Sequence, residues 1–241
     1  LRDLKRVADL GVDSVKLEGR MKSPEYTAAV TAAYRRALDW IGKEGTEQEE
    51  QGETERLAQI YHRKFIKGYF AGERNSDILS GESPKHQGLL LGTVTGVKPS
   101  EKVKGKYLLE VELKREVRIG DGIEVRPMSG AEREKLSRRK EKGKPAGNPW
   151  PGGTISYIKW KKGIGKDAAK GQQVWLGDVT GKPNVGDPVF KMTDSLLMTE
   201  IQATYQGKSR RKSRIYGSFV ATHGEPITFH VWDEFGNEGM S

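Results

Sequence analysis

Ile119-Gly120-Asp121-Gly122-Ile123-Glu124-Val125 is echoed further along the chain by Val185-Gly186-Asp187-Pro188-Val189-Phe190-Lys191. In each copy a Gly-Asp turn launches a short apolar strand. Around them lie other short apolar runs separated by turn residues. They are Leu89–Val97, Lys106–Leu113, Gly122–Arg126, Thr154–Trp160, Gln173–Val179 and Pro188–Met192. Six short strands with a duplicated turn predict a small closed β-barrel, because closure removes the exposed edges that an open sheet would leave.

This barrel is similar in architecture to the second domain of translation factors, an analogy of fold that carries no function. After it, Arg214–Thr222 and Pro226–Asp233 alternate apolar and polar residues around His223-Gly224-Glu225, which predicts a β hairpin.

Ahead of the barrel the pattern differs. Leu1, Leu4, Val7, Ala8 and Leu10 recur at helical spacing, and Gly11 stands where a helix C-terminal glycine belongs. Val12 to Leu17 predicts a strand. Ser23 predicts an N-cap, Pro24 the first helical position, and Glu25 a favourable charge at the positive end of the helix. Tyr26, Val30, Tyr34, Ala37 and Ile41 then make a helical stripe. Gly42 to Glu53 is acidic, polar and punctuated by glycine, and predicts a linker. A further helix is expected over Thr54 to Lys67, and an irregular crossing over Gly68 to Gly88.

A glycine turn between strand and helix presents backbone N–H groups beside a helix N-terminus, and Arg20 and Lys22 add charge there. Gly19, Arg20, Lys22 and Ser23 are therefore the candidate anion-binding residues. Glu18 is the candidate acid or base. A plainer reading stands beside this one: Glu18 pairs with Arg20 to fix the turn, and Ser23-Pro24 only caps a helix.

The stretch Val15-Lys16-Leu17-Glu18-Gly19-Arg20-Met21-Lys22-Ser23, with Tyr26 and Tyr34-Arg35-Arg36-Ala37-Leu38-Asp39, resembles the peptidase U32 family, the collagenase-like peptidases. Phe65-Ile66-Lys67-Gly68-Tyr69-Phe70, His86-Gln87-Gly88 and Leu91-Gly92-Thr93-Val94 resemble the family's continuation into a β-barrel. The resemblance implies an α+β chain: a helix-strand-helix remnant of a (βα)8-type barrel over 1–41, a linker and helix over 42–87, the β-barrel over 88–195, and the start of a further β domain over 196–241. It implies a collagenase-like proteolytic function, with RNA base hydroxylation or an accessory RNA-binding role as the alternative.

Family members carry cysteines ahead of this segment, tied to a metal or an iron–sulfur cluster. This chain has no cysteine. The expectation is an incomplete piece, inactive alone, with no cofactor of its own and the cluster, if any, upstream. Expected partners are the rest of its own polypeptide and a peptide or RNA substrate. A homo-oligomer is left open.

Among 241 residues, 42 basic against 33 acidic give a net charge of +9. That balance suits nucleic acid or acidic substrates, or it reflects a lysine-rich proteome. Two basic segments concentrate it: 132–144, with Arg138, Arg139 and Lys140, and 208–214, with Arg210, Arg211 and Lys212. Both are candidates for contacting a phosphate backbone. Trp150, Tyr157 and Trp160 near the first read as ordinary barrel aromatics. No apolar run is long enough to span a membrane, so no membrane partner is expected and the cytoplasm is the expected location. His62, His86, His223 and His230 show no metal-ligand spacing, and His86 reads as a structural hydrogen bonder to backbone. No nucleophile–base signature is visible.

Overall fold

In the computed structural model, the described residues are 1, 3–41, 47–63, 65–66, 72, 86–128, 130, 150–160, 163–207 and 212–241. The strands from Leu89 onward are β1 (Leu89–Pro99), β2 (Lys106–Leu113), β3 (Val117–Arg118), β4 (Gly122–Val125), β5 (Gly152–Thr154), β6 (Tyr157–Trp160), β7 (Gly163–Gly165), β8 (Asp167–Ala168), β9 (Gln173–Thr180) and β10 (Pro188–Thr193). Six of them close into a ring, β2-β1-β10-β4-β5-β9 and back to β2, with every pairing antiparallel. β9 closes the ring by sharing one edge: its Thr180 pairs with Gly152 of β5, and Trp175 to Gly177 pair with β6. A closed six-stranded barrel is as the alternating runs predict, but the Thr154–Trp160 run forms β6 on the outer edge of β9, and the sixth ring strand is the short β5. The short β3, β7 and β8 lie below the length at which alternation can be read.

The barrel interior holds Leu91, Val94, Leu109, Val111, Ile123, Val125, Ile158, Val174, Leu176, Val179 and Val189. Burying side chains of this size contributes roughly 1.5–3 kcal/mol each. The ladder is not regular. Against Tyr107–Leu109 of β2, β9 runs one residue longer between Leu176 and Val179. That bulge lets Leu176 and Val179 both face inward although strict alternation would turn one of them out. β1 shifts register at Leu90/Gly92, where a Cβ on Gly92 would overlap the carbonyl oxygen of Glu112.

The repeated Gly-Asp turns form one device twice. Gly120 and Gly186 both hold φ near 94°, a backbone region that disfavours other residues. Asp121 Oδ2 accepts the Arg118 N–H at 2.9 Å, and Asp187 Oδ2 accepts the Asn184 N–H at 3.0 Å, each three residues back. The other oxygens reach across. Asp121 Oδ1 accepts Ser195 N–H (2.9 Å) just past the end of β10, and Asp187 Oδ1 accepts Met128 N–H (3.0 Å) just past the end of β4. Since β4 and β10 pair antiparallel, the Asp that starts each strand anchors the end of the other.

Asp121 also meets the buried Lys191, whose Nζ lies 2.9 Å from Asp121 Oδ2 and 2.6 Å from Asp194 Oδ2. Asp194 in turn accepts the Leu197 N–H at 2.9 Å and so caps α4 (Ser195–Tyr205). Burial alone would raise the Asp194 carboxyl, but the Leu197 amide and Lys191 outweigh it and hold the group below its usual range.

The helices before the barrel are α1 (Leu4–Asp9), α2 (Pro24–Ile41) and α3 (Glu47–Ile60). α1 ends as expected, with Gly11 at φ 75° and its N–H on Ala8 O. Val12–Leu17 is a correction: these residues form no strand and are exposed. A strand needs a neighbour to pair with, and none lies beside this segment among the described residues. The linker reading of Gly42 to Glu53 is also corrected, because α3 begins at Glu47 and ends at Ile60, not Lys67. Glutamate and glutamine are good helix formers, and acidic groups suit a helix N-terminus, so low hydrophobicity did not prevent a helix. On α2 the buried positions are Ala29, Ala33 and Ala37, while the predicted Tyr26, Val30, Tyr34 and Ile41 are only half-buried. Ala29 packs with Leu197 and Ile201 of α4 and, more peripherally, Leu57 and Ile60 of α3. Arg36 grips the buried Glu53 through Nε and Nη2, at 3.0 and 2.6 Å, and pins α2 to α3.

This compact unit runs from Leu1 to Thr204, so α4, which the sequence reading missed, belongs to it. A second unit, Tyr205–Ser241, is a three-stranded sheet of β11 (Ile215–Val220), β12 (Thr228–Asp233) and β13 (Glu238–Met240). Its first two strands are the predicted hairpin.

Replacing Lys191 with Ala leaves the fully buried Asp121 without its cation. We expect a loss of about 3–5 kcal/mol in urea unfolding. A loss no larger than that of an exposed lysine variant would show that the triad does not hold the barrel.

Candidate functional site

The cationic bend is built by local bonds. Lys22 N–H donates to Gly19 O at 2.9 Å, and Met21 sits at φ 63°. Ser23 Oγ accepts the Tyr26 N–H at 3.4 Å, the predicted N-cap of α2. The side chains then part. Glu18 lies in solvent, 2.8 Å from Lys16 and not paired with Arg20. Arg20 is exposed and has no ion-pair partner among the described residues. Lys22 turns inward, its ammonium 3.4 Å from the Tyr61 ring centroid and 5.9 Å from that of Tyr26.

Tyr61, just beyond α3, is a site residue to which the sequence assigned only a place on a packed helix face. Its hydroxyl accepts the Arg63 Nε–H at 2.8 Å, and its ring stacks on His86 at 5.7 Å between centroids. Burial alone would raise the Tyr61 phenol, but bonds and charge from Arg63 and Lys22 outweigh it and bring the group below its ordinary value. The result is a phenol flanked by two cations at an accessible surface, an arrangement suited to meeting an anion.

His86 ties this cluster to the barrel. Its Nδ1 accepts His62 N–H (3.1 Å), and its Nε2–H donates to Met192 O at the end of β10 (3.1 Å). That fixes a neutral tautomer, the structural role expected of it. His62 donates its Nε2–H to Gly88 O at 3.0 Å. Burial, with help from neighbouring Arg126, pushes His86 below the usual histidine value.

Of the other candidates, Arg138, Arg139, Lys140, Arg210 and Arg211 lie outside the described residues, and Lys212 is exposed. Trp160 packs against the barrel core, Tyr157 receives Lys102 at 4.4 Å, and Trp150 lies 5.4 Å from the Arg126 guanidinium carbon. Among the described residues no three His, Asp or Glu side chains converge as a metal centre needs, and the sequence offers no thiolate. The described residues therefore supply no ligand set for the metal or iron–sulfur group that the family resemblance suggests. No described helix is long and apolar enough to cross a membrane.

An open groove of about 640 Å³ also runs between α3, α4 and the barrel, lined by Glu55, Arg56, Lys114, Arg115, Lys191 and Glu200 among others. Its charges are largely spent on one another: Arg56 meets Glu200 at 2.9 Å and Arg115 meets Glu55 at 3.4 Å.

The profile of peptidase family U32 matches residues 1–79, which include the bend and Tyr61. The likeness to peptidase family U32 rests on these residues, about the first third of the chain. It is 34% identical over 130 residues to the 23S rRNA 5-hydroxycytidine C2501 synthase of Escherichia coli strain K12, covering 51% of this chain and 19% of that protein. It is 30% identical over 125 residues to a collagenase of Porphyromonas gingivalis, covering 51% of this chain and 29% of that one. It is 37% identical over 75 residues to the tRNA hydroxylation protein P2 of Bacillus subtilis, covering 30% of this chain and 24% of that one. The chain thus spans less than a third of each of these relatives.

Two outcomes follow. Lys22→Ala raises the pH at which Tyr61 ionises toward its ordinary value, read from phenolate absorbance; an unmoved titration would place the ammonium elsewhere. For His86 the folded value is the depressed one. Its contribution to stability is therefore complete above the unfolded value, about 6.5, and is lost as pH falls below it toward the folded value. Urea midpoints measured across that window should fall in the parent protein and stay flatter in His86→Gln, which keeps a donor and an acceptor without the charge.

Proposed function

We propose that this chain is the RNA-holding portion of a U32 protein that modifies RNA, with the bend at Gly19–Ser23 meeting substrate phosphate. The match to an rRNA hydroxycytidine synthase over half of the chain carries this reading. The tRNA hydroxylation relatives and the net charge of +9 support it. Arg20, exposed and without an ion-pair partner, is the primary phosphate contact. Lys22, partly engaged by Tyr61, holds the bend in place and adds charge. Glu18 stands at the solvent edge as an acid or base available to chemistry housed in the rest of the polypeptide. A soluble cytoplasmic setting accords with an RNA substrate.

The peptidase reading is favoured by the family's name and by the collagenase relative. In it the same bend takes a peptide carboxylate.

The two readings separate in a titration of structured rRNA or tRNA fragments against rising salt. The RNA reading expects low-salt affinity that falls steeply with salt. Arg20→Ala weakens binding about evenly across sequences and lowers the salt slope by about 1. No affinity at low salt, together with cleavage of gelatin by the full-length protein, would overturn it in favour of the peptidase.

A further inference from the structure

The second unit has two faces of different chemistry. Strand register puts Ile215, Phe219, Phe229 and Val231 on one face, an aliphatic and phenyl surface suited to ordinary packing. On the other, Tyr216 stands opposite Trp232, Ser218 opposite His230, and Trp232 opposite Glu238. The Tyr216 and Trp232 rings stack at 6.1 Å with 20° between their planes, and His230 lies 5.2 Å from Trp232. His230 Nε2 lies 3.3 Å from Glu238 Oε2. Tyr216 and Trp232 are 42% and 37% exposed, and Ser218, His230, Trp232 and Glu238 help line an open concavity of about 430 Å³.

We propose that this face binds an unpaired stretch of RNA, its bases stacking on Trp232 and Tyr216. The proposal rests on the RNA reading above and names where in the chain single-stranded RNA is held. Three observations select RNA over a protein partner. Tyr216 and His230 both lie within 6.1 Å of the Trp232 ring on one face, a cluster of rings on which bases can stack. Ser218 and Glu238 stand among them, a hydroxyl and a carboxylate suited to the amino and carbonyl groups of base edges. Lys212 and Arg214, both exposed, precede Tyr216 by four and two residues, so positive charge leads into the platform where a phosphate backbone would enter. Ile215, Phe219, Phe229 and Val231 lie on the opposite face, while Val220 and Met240 stand beside the rings.

The test uses the whole 241-residue chain and a short unstructured oligoribonucleotide carrying a fluorescent label, with anisotropy as the readout. Trp232→Ala should weaken binding by about five- to a hundred-fold, the usual range for loss of one stacked base. Trp232→Phe, which keeps a ring and guards against misfolding, should retain most of the affinity. The salt slope should be unchanged in Trp232→Ala and shallower in the Lys212→Ala, Arg214→Ala double variant. Quenching of intrinsic tryptophan fluorescence on RNA addition should vanish in Trp232→Phe. If the parent chain binds RNA but Trp232→Ala and Tyr216→Ala bind equally well, the platform is overturned and the RNA reading survives. If the parent chain binds no RNA at low salt, both fall.

Discussion

A carboxylate that serves two strands at once organises this barrel. Asp121 fixes its own turn through Arg118 and ends β10 through Ser195, while Asp187 does the same for its turn and for β4. Each acceptor is buried, so each backbone N–H it takes would otherwise carry the cost of an unmade bond in a dry environment. The exchange explains why the two Gly-Asp turns must match. A barrel can close with many registers, but only one register brings each aspartate to the end of the opposite strand. Lys191 then bridges Asp121 and Asp194, and Asp194 starts α4, so the barrel and the helical layer share one set of charges.

That coupling fixes the place of the candidate site. α4 packs with α2 and α3, and α3 reaches the barrel through Gln59, whose Nε2–H donates to Lys191 O. Just past α3 stands Tyr61, carrying Lys22 on one side and His86 on the other. The bend is therefore held through a contiguous path of rings and backbone bonds that ends on Met192 of β10. Among the described residues its position follows from packing, with no sheet beneath it.

The legible parts of the sequence were those whose cause is local. Alternation and turn chemistry in residues 89–193 sufficed for six strands, and Gly11 and Ser23 marked helix ends, because a cap depends on a few adjacent residues. Val12–Leu17 misled because β structure belongs to a pair of strands, and composition cannot supply the second. Glu47–Glu53 misled in the other direction, since an acidic run reads as solvent-loving whether or not it is helical. The site was legible as a list of charges and not as an arrangement. Nothing in the order of residues says that Lys22 turns toward Tyr61 while Arg20 stays out, or that His86 meets both His62 and Met192.

The parting of Arg20 and Lys22 bears on how an anion would be held. An ammonium against an aromatic face is already partly satisfied, by about 0.5–1 kcal/mol at an exposed site. A phosphate drawing Lys22 away must overcome that contact. An anion that leaves Lys22 in place avoids that cost and still feels its charge, because at about 4 Å even bulk water leaves roughly 1 kcal/mol of attraction between unit charges. The lower-energy arrangement thus has the ligand bonded to Arg20 and the backbone of the bend, with Lys22 contributing field without contact. Arg20 is the better direct ligand on chemical grounds as well, since its planar fork can give two parallel bonds to one phosphate, whereas an ammonium acts as a point charge.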